Sequence, residues 1–338
     1  MKKKDKIFII AEVGVNHNGS LKKALKLVDL AVSAGADAIK FQTFKAENLA
    51  TKNAPKADYQ ILNSSKKETQ FKMLKKLEFT DSMHRTCLNE CKKKKIIFMS
   101  SAFDINNLYY LKKLNLKYFK VPSGEITNIP YLEVLGKFNK KVILSTGMSS
   151  INEIEQAIKI LKKNGTSKNK IVLMQCTSAY PAPNEEMNLK IINTFINRFK
   201  LKVGLSDHSL GTQAPIAAVS LGATLIEKHM TLDNNLQGPD HKASLNPMDF
   251  KLMVKNIRIT EQMLGSKKKK ITKTEKKNIK IVRKSIVALK KIKKNEKFSK
   301  LNITCKRPGT GISPVYYNKI LGKKSIKNYN LDDLIKLN

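Results

Sequence analysis

Arginine is scarce in this chain: of its 65 basic residues only Arg85, Arg198, Arg258, Arg283 and Arg307 are arginine. The formal net charge is nevertheless +38 over 338 residues, so nearly all of the positive charge is lysine, and it is spread along the whole length. Proteins that read nucleic acids favour arginine for bidentate contacts and gather basic charge on one face. Specific nucleic-acid binding is therefore not expected, and a non-enzymatic basic binding module is a distant alternative. The surplus lysine can still concentrate anionic substrates near the protein. Cysteine is also sparse. Cys87, Cys91, Cys176 and Cys305 contain no CxxC pair, which fits reduced thiols in a cytoplasmic protein better than disulfides. No apolar run approaches the roughly 20 residues needed to cross a bilayer. The apolar run after the initial KKKDK is too short for a signal peptide, and acidic Glu12 follows it closely. No membrane partner is expected.

What is present is a regular alternation. A hydrophobic content of 41% with 27% charged residues describes a globular protein. Short, β-branched apolar runs occur at 7–13, 37–43, 96–101, 117–123, 141–147, 170–177, 202–208 and 224–230. Between them lie stretches with helical spacing, at 21–34, 80–94, 104–115, 128–138, 151–163, 187–198 and 211–221, and a last one follows at 247–264. Nearly continuous apolar strands alternating with amphipathic helices mean a parallel sheet covered on both faces. Eight such units within residues 1–265 predict an α/β fold, a closed (β/α)8 TIM barrel. A doubly wound open sheet is the runner-up, but no GxGxxG follows the first strand. Residues 266–280 are charged and poor in apolar side chains, as expected of a solvated linker. Residues 281–338, with KRPGTG at 306–311, read as a small separate module.

Barrel active sites are built at the C-terminal ends of strands. Two strand ends carry histidine, His208 and His229, a candidate metal pair if the strands are neighbours; the alternative is one buried structural and one surface histidine. Lys40 and Lys120, with the hydroxyls of Ser101, Ser123, Ser145 and Ser178, make a cradle for phosphate and carboxylate groups. Either lysine, if desolvated, could instead form a Schiff base. Glu12, Glu125 and Asp240 are candidate acids, bases or hydroxyl binders. Asp207 either orients a ligand or caps the next helix. His17, in NHNG, reads as a turn residue, and His84 as solvent-facing on a helix.

The motifs IIAEVGVNHNGS (9–20), IKFQTFKAENL (39–49), FKVPSGE (119–125), ILSTGMS (143–149), QCTSAYP (175–181), GLSDHS (204–209) and IEKHMTLD (226–233) together resemble the sialic acid synthases. KRPGTG resembles the signature of their C-terminal antifreeze-like (SAF) domain. The resemblance implies condensation of phosphoenolpyruvate with an N-acetylated hexose and water, giving a nonulosonic acid and phosphate. It implies that His208 and His229 hold a divalent metal, manganese above all, with magnesium or cobalt as alternatives. It implies that Lys40, Gln42, Ser101, Lys120, Ser123, Ser145, Ser178 and Tyr180 hold phosphoenolpyruvate. Glu12, Glu125 and Asp240 match carboxylates around the sugar and the attacking water, with Tyr180 also near the sugar. Arg307 matches an arginine inserted by the partner subunit, which implies a domain-swapped homodimer. Ser101 stands where some members have threonine, and Ser178 where some have asparagine. The main expectation is an N-acetylneuraminate synthase acting on N-acetylmannosamine. The alternative is the same reaction on 2,4-diacetamido-2,4,6-trideoxymannose, giving N,N′-diacetyllegionaminate, and a Schiff-base lyase is a more remote one.

Overall fold

The structure, a computed structural model, describes residues 6–57, 60–61 and 68–337. Eight parallel strands close into a barrel in chain order: β1 (Phe8–Gly14), β2 (Ala38–Thr43), β3 (Ile97–Ala102), β4 (Tyr118–Val121), β5 (Lys141–Ser145), β6 (Ile171–Cys176), β7 (Lys202–Asp207) and β8 (Leu225–His229). The barrel closes where β1 pairs with β8 and sets Glu12 beside His229. The expected TIM barrel is therefore the fold.

The helices are α1 (Leu21–Ala34), α2 (Ala46–Leu49), α3 (Gln70–Leu77), α4 (Asp81–Lys93), α5 (Ile105–Lys113), α6 (Ile129–Lys137), α7 (Ile151–Lys163), α8 (Ile191–Phe199), α9 (Gln213–Ser220) and α10 (Pro247–Met263). Their ends are written locally. Ser20 caps α1 by accepting from the Lys23 N–H, and Gly35 ends it in the left-handed region. On α1, Ala24, Leu27, Val28 and Ala31 recur at helical spacing and bury against the outside of the barrel.

Inside the barrel the side chains change character along each strand. The lower interior is packed with Ile10, Ala38, Met99, Ile143, Met174 and Leu225. Two residues further along the same strands stand Glu12, Lys40, Ser101, Ser145, Cys176 and Glu227. Side chains alternate with period two, so these point the same way as the apolar plug and form a polar layer above it. The plug closes the floor, and the polar layer faces the mouth.

The β2–β3 connection is long and carries α2 and α3. With neighbouring residues it builds an apolar cluster separate from the barrel core, Val15, Phe44, Met73 and Leu77 with Leu49, Leu74 and Phe103 packed against them. Residues 58–59 and 62–67 of this connection lie outside the described residues. Among the described residues no helix is long and apolar enough to cross a membrane.

Residues Ser266–Asn338 form a second compact unit with its own core, including Ile286, Ile292, Phe298, Ile303, Ile320 and Tyr329. It contains α11 (Lys273–Val282), the antiparallel strands β9 (Ser285–Ala288) and β10 (Ile303–Lys306), and α12 (Tyr317–Ile320). The stretch expected to be a plain linker is thus partly helical. Thr272 and Glu275 form a reciprocal capping box that starts α11, a local signal that the run of lysines obscured.

Candidate active site

Four ionisable side chains meet in the polar layer. Lys40 Nζ lies 2.7 Å from Glu12 Oε2 and 3.8 Å from Glu227 Oε2, and it donates to Ser101 Oγ at 2.9 Å. Lys120 Nζ is 2.9 Å from Glu227 Oε1, which also accepts from Ser206 Oγ at 3.0 Å. Glu227 is therefore shared by both lysines. Burial alone would raise its pKa, but Lys120 and Lys40 outweigh burial and hold it at about 2. Glu12 behaves oppositely: burial drives it up to about 7, opposed by Lys40 and reinforced by Glu227. Burial would lower Lys40, yet Glu12 and Glu227 more than compensate and raise it. A lysine held as ammonium is an anion ligand, and it is a poor Schiff-base nucleophile.

Hydroxyls ring the adjacent side. Ser123 Oγ accepts from the Gly147 N–H at 3.1 Å. The Oγ atoms of Ser145 and Ser178 are buried without a hydrogen-bond partner among the described residues. Orphaned buried hydroxyls are rare in native proteins, and here two of them face the cavity that both lysines line. Gly147 is required there, because a Cβ at this position would lie 2.2 Å from Ser178 Oγ and 2.8 Å from Ser123 Oγ.

His208 and His229 stand at the ends of adjacent strands, with ring centroids 5.4 Å apart. Tyr180 packs on both rings, at 4.1 Å from His208 and 5.7 Å from His229. His208 Nδ1 lies 2.7 Å from the Thr177 carbonyl, which places its proton on Nδ1 and leaves the Nε2 lone pair free. Burial opposes charge on His208, but Cys176 and Thr177 outweigh burial and raise its pKa, and both sit on the Nδ1 side. His229 Nδ1 is buried with no hydrogen-bond partner among the described residues, 3.9 Å from Asp240 Oδ2. Burial, His208 and Lys40 push the His229 pKa well below its usual value, so this imidazole is neutral. Two free imidazole nitrogens beside a carboxylate fit a divalent ion. No group of three His, Cys, Asp or Glu residues arranged to hold a metal occurs among the described residues, so the protein would supply only part of the coordination sphere.

Behind the histidines the same strands carry a brace. Asp207 and Lys228 are register partners on the outer face of β7 and β8. Lys228 Nζ contacts Asp207 Oδ2 at 2.6 Å and the Ser209 carbonyl, and both side chains are fully buried. The other carboxylate oxygen accepts from Ser209 N–H at 2.8 Å and Ser209 Oγ at 2.7 Å. Of the two expected roles, Asp207 does not cap the next helix; it braces the strand ends that carry His208 and His229.

The NHNG turn has a related task. Asn16 Nδ2 donates to the Met230 carbonyl and to Ser244 Oγ, and Ser244 Oγ donates to the Asp240 carbonyl at 2.6 Å. Asn18 Oδ1 pairs with His241 Nε2 at 3.2 Å. These bonds hold the loop after β8 so that Asp240 reaches the mouth. His17 stays within the turn, where its Nδ1 accepts from Gly19 N–H.

A cavity of about 430 Å³ occupies the mouth, within the range of small-molecule sites. All of the residues expected in the site line it except Glu125 and Arg307. Glu125 lies on a single turn after β4 and accepts from Asn128 Nδ2 at 2.6 Å. Arg307 belongs to the C-terminal unit, where it is exposed and its Nε donates to the Val282 carbonyl. His84, expected to face solvent, is buried: its Nε2 bonds Thr43 Oγ1 at 2.7 Å and its Nδ1 lies 2.8 Å from the Thr80 carbonyl. Glu227 and Ser206 are site residues that the sequence reading did not assign a role. Each stands two residues before a site histidine, and period-two alternation could have found them.

The closed barrel, with an anion cradle and an imidazole pair at its C-terminal mouth, defines a barrel enzyme. The NeuB family model matches residues 27–269 and the SAF domain model residues 283–337. The chain belongs to the NeuB family, the sialic acid synthases, with a SAF domain at its C-terminus. A Campylobacter jejuni protein named N,N′-diacetyllegionaminic acid synthase is 50% identical, covering 98% of this chain and 99% of its own length. A Legionella pneumophila protein of the same name is 43% identical over 95% of this chain and 91% of its own. Among solved structures, an N-acetylneuraminic acid synthetase from Leptospira borgpetersenii in complex with citrate aligns with a TM-score of 0.71 and 34% identity, over 81% of this chain and 90% of that one.

Proposed function

We propose that this protein condenses phosphoenolpyruvate with 2,4-diacetamido-2,4,6-trideoxymannose and water to give N,N′-diacetyllegionaminate and phosphate. The 50% identity across essentially both full lengths to the Campylobacter jejuni legionaminic acid synthase carries the reading. It displaces N-acetylneuraminate as the main expectation, since the Leptospira neuraminic acid synthetase is only 34% identical.

In this reading Lys40 and Lys120 hold the phosphate and carboxylate of phosphoenolpyruvate, and the free hydroxyls of Ser145 and Ser178 complete the cradle together with Ser101 and Ser123. Fixing that substrate presents its C3 to the sugar aldehyde in a productive geometry. A bond forms between C3 and the sugar C1, water adds at C2, and the bond from C2 to the phosphate oxygen breaks. A divalent ion on His208 and His229, manganese or in its place magnesium or cobalt, would polarise the aldehyde as a Lewis acid. Glu12 takes up and returns protons, since its raised pKa is matched to neutral pH; Glu227, held ionised, keeps the lysines in place. Asp240 and Tyr180 hold sugar hydroxyls. Glu125, on the turn after β4, serves the attacking water. Arg307 completes the sugar site from the partner subunit of a domain-swapped homodimer. In that case mixed dimers of Arg307→Ala and His208→Ala chains regain one working site, whereas no regain in verified mixed dimers removes the swap.

Phosphate release with phosphoenolpyruvate and manganese, measured for each sugar, tests the function. Higher kcat/KM with the trideoxy sugar than with N-acetylmannosamine is expected. A preference for N-acetylmannosamine, or no turnover with either, overturns it.

A further inference from the structure

The cavity has two chemically distinct sides. One is the cationic, hydroxyl-lined cradle. The other is aliphatic and aromatic: of the seven members of the separate apolar cluster at the mouth, all but Phe44 line the cavity, namely Val15, Leu49, Met73, Leu74, Leu77 and Phe103. This cluster contributes nothing to the barrel core, and most of it comes from the long β2–β3 connection. Long connections that build a surface of their own are where binding specificity resides. The amides in that wall, Gln60 and Gln70, are hydrogen-bonded to each other at 3.2 Å.

A wall of this kind discriminates between sugars by what they lack. An open-chain 2,4-diacetamido-2,4,6-trideoxyhexose carries three methyl groups, two on acetamides and one at C6. N-acetylmannosamine carries one methyl and ends in a hydroxymethyl group. A hydroxyl pressed against aliphatic side chains loses its water without gaining a partner, whereas a methyl group there is buried favourably. The polar cradle at the opposite side is committed to anionic groups.

We infer that the apolar wall of the β2–β3 connection is the specificity element of this enzyme, seating the C6 methyl group and selecting 6-deoxy sugars over their 6-hydroxy counterparts; this rests on the function proposed above. The ratio of kcat/KM for 2,4-diacetamido-2,4,6-trideoxymannose to that for its 6-hydroxy analogue, 2,4-diacetamido-2,4-dideoxymannose, reads it directly. A single added hydroxyl against an apolar pocket is worth about 10- to 100-fold, and the wild-type ratio is expected in that range. Leu49 and Leu74 are only partly buried, so Leu49→Asn and Leu74→Asn are the variants of choice. Each should lower the ratio about fivefold or more, chiefly through KM, by giving the hydroxyl a partner. A wild-type ratio near one overturns the inference without recourse to any variant. So does a high wild-type ratio that persists in both asparagine variants while they turn over the 6-deoxy sugar. In either outcome the reaction itself stands. Absence of turnover with every sugar overturns the proposed function and this inference with it.

Discussion

Replacing Asp207 with asparagine should destabilise the barrel by about 4 kcal/mol at neutral pH, because the change strands a charge with no route to water. Lys228 and Asp207 are both fully buried, and the carboxylate is the only negative charge paired with this ammonium among the described residues. Breaking such a pair typically costs about 3–5 kcal/mol. An independent limit comes from titration. The stranded lysine can escape by losing its proton, and neutralising a group of ordinary pKa about 10.4 at pH 7 requires about 4.6 kcal/mol. The two figures agree. For the 265 residues of the barrel unit, an unfolding entropy of about 2.1 cal/mol/K per residue gives about 0.56 kcal/mol per degree, so the Tm should fall by about 7 °C. The sign of the pH dependence follows. Burial already lowers the Lys228 pKa in the wild type, with Asp207 opposing it; without that carboxylate it falls further, so the deficit of the variant shrinks as pH rises. At pH 9 the limit drops to about 1.9 kcal/mol, and the deficit should shrink to about 3 °C. Calorimetric melting of wild type and variant at both pH values measures this. A deficit under 2 °C at pH 7, or one that does not narrow by pH 9, refutes the reasoning.

Acid should loosen the fold through His17 and His84, whose pKa values burial lowers to about 4. Both are neutral in the folded protein, so their contribution is complete above pH 6.5 and is lost as pH falls towards 4. At pH 5 each costs about 2 kcal/mol; melting profiles should show the loss, diminished in His84→Gln, and a flat profile between pH 7.5 and 5 contradicts it. Gly147→Ala pushes a methyl group into Ser178 and Ser123, and KM for phosphoenolpyruvate should rise tenfold or more with little change in Tm. An unchanged KM would show that these hydroxyls do not bind that substrate. Chelation should abolish phosphate release and added manganese restore it. Manganese binding followed by paramagnetic resonance should weaken at least a hundredfold in His229→Ala; equal binding by that variant places the ion elsewhere.

The architecture was legible because it rests on local repetition. Apolar strands and amphipathic helices recur in eight units, the number a closed parallel barrel requires, and strand-end positions then identify the mouth. Lys40 and Lys120 could be read as site residues because they interrupt apolar strands. Lys228 interrupts one equally, yet the sequence does not say which side of β8 it takes until His229 is assigned to the interior. His84 was misjudged because its helix is mostly polar, and its burial depends on Thr43 and the Phe41–Phe79 stack across the barrel wall. The apolar wall is not legible in the sequence because its members are drawn from the turn after β1, the β2–β3 connection and the loop after β3. They share no period, and only the fold collects them.

The adjacency of brace and histidines gives the enzyme a parity. Along β8, Glu227 and His229 occupy one phase of the strand and Lys228 the other; at the end of β7, Ser206 shares a phase with His208, the residue just past the strand, and Asp207 takes the opposite one. A deletion of one residue within β8, harmless to its apolar composition, would exchange these phases. The shared carboxylate and the imidazole would turn into the helix layer, and an ammonium would enter the mouth. Substitutions in these strands can therefore be repaired one at a time, but a frame error of one residue destroys both the site and its support together. Single-residue insertions and deletions should be rejected in the five residues of β8.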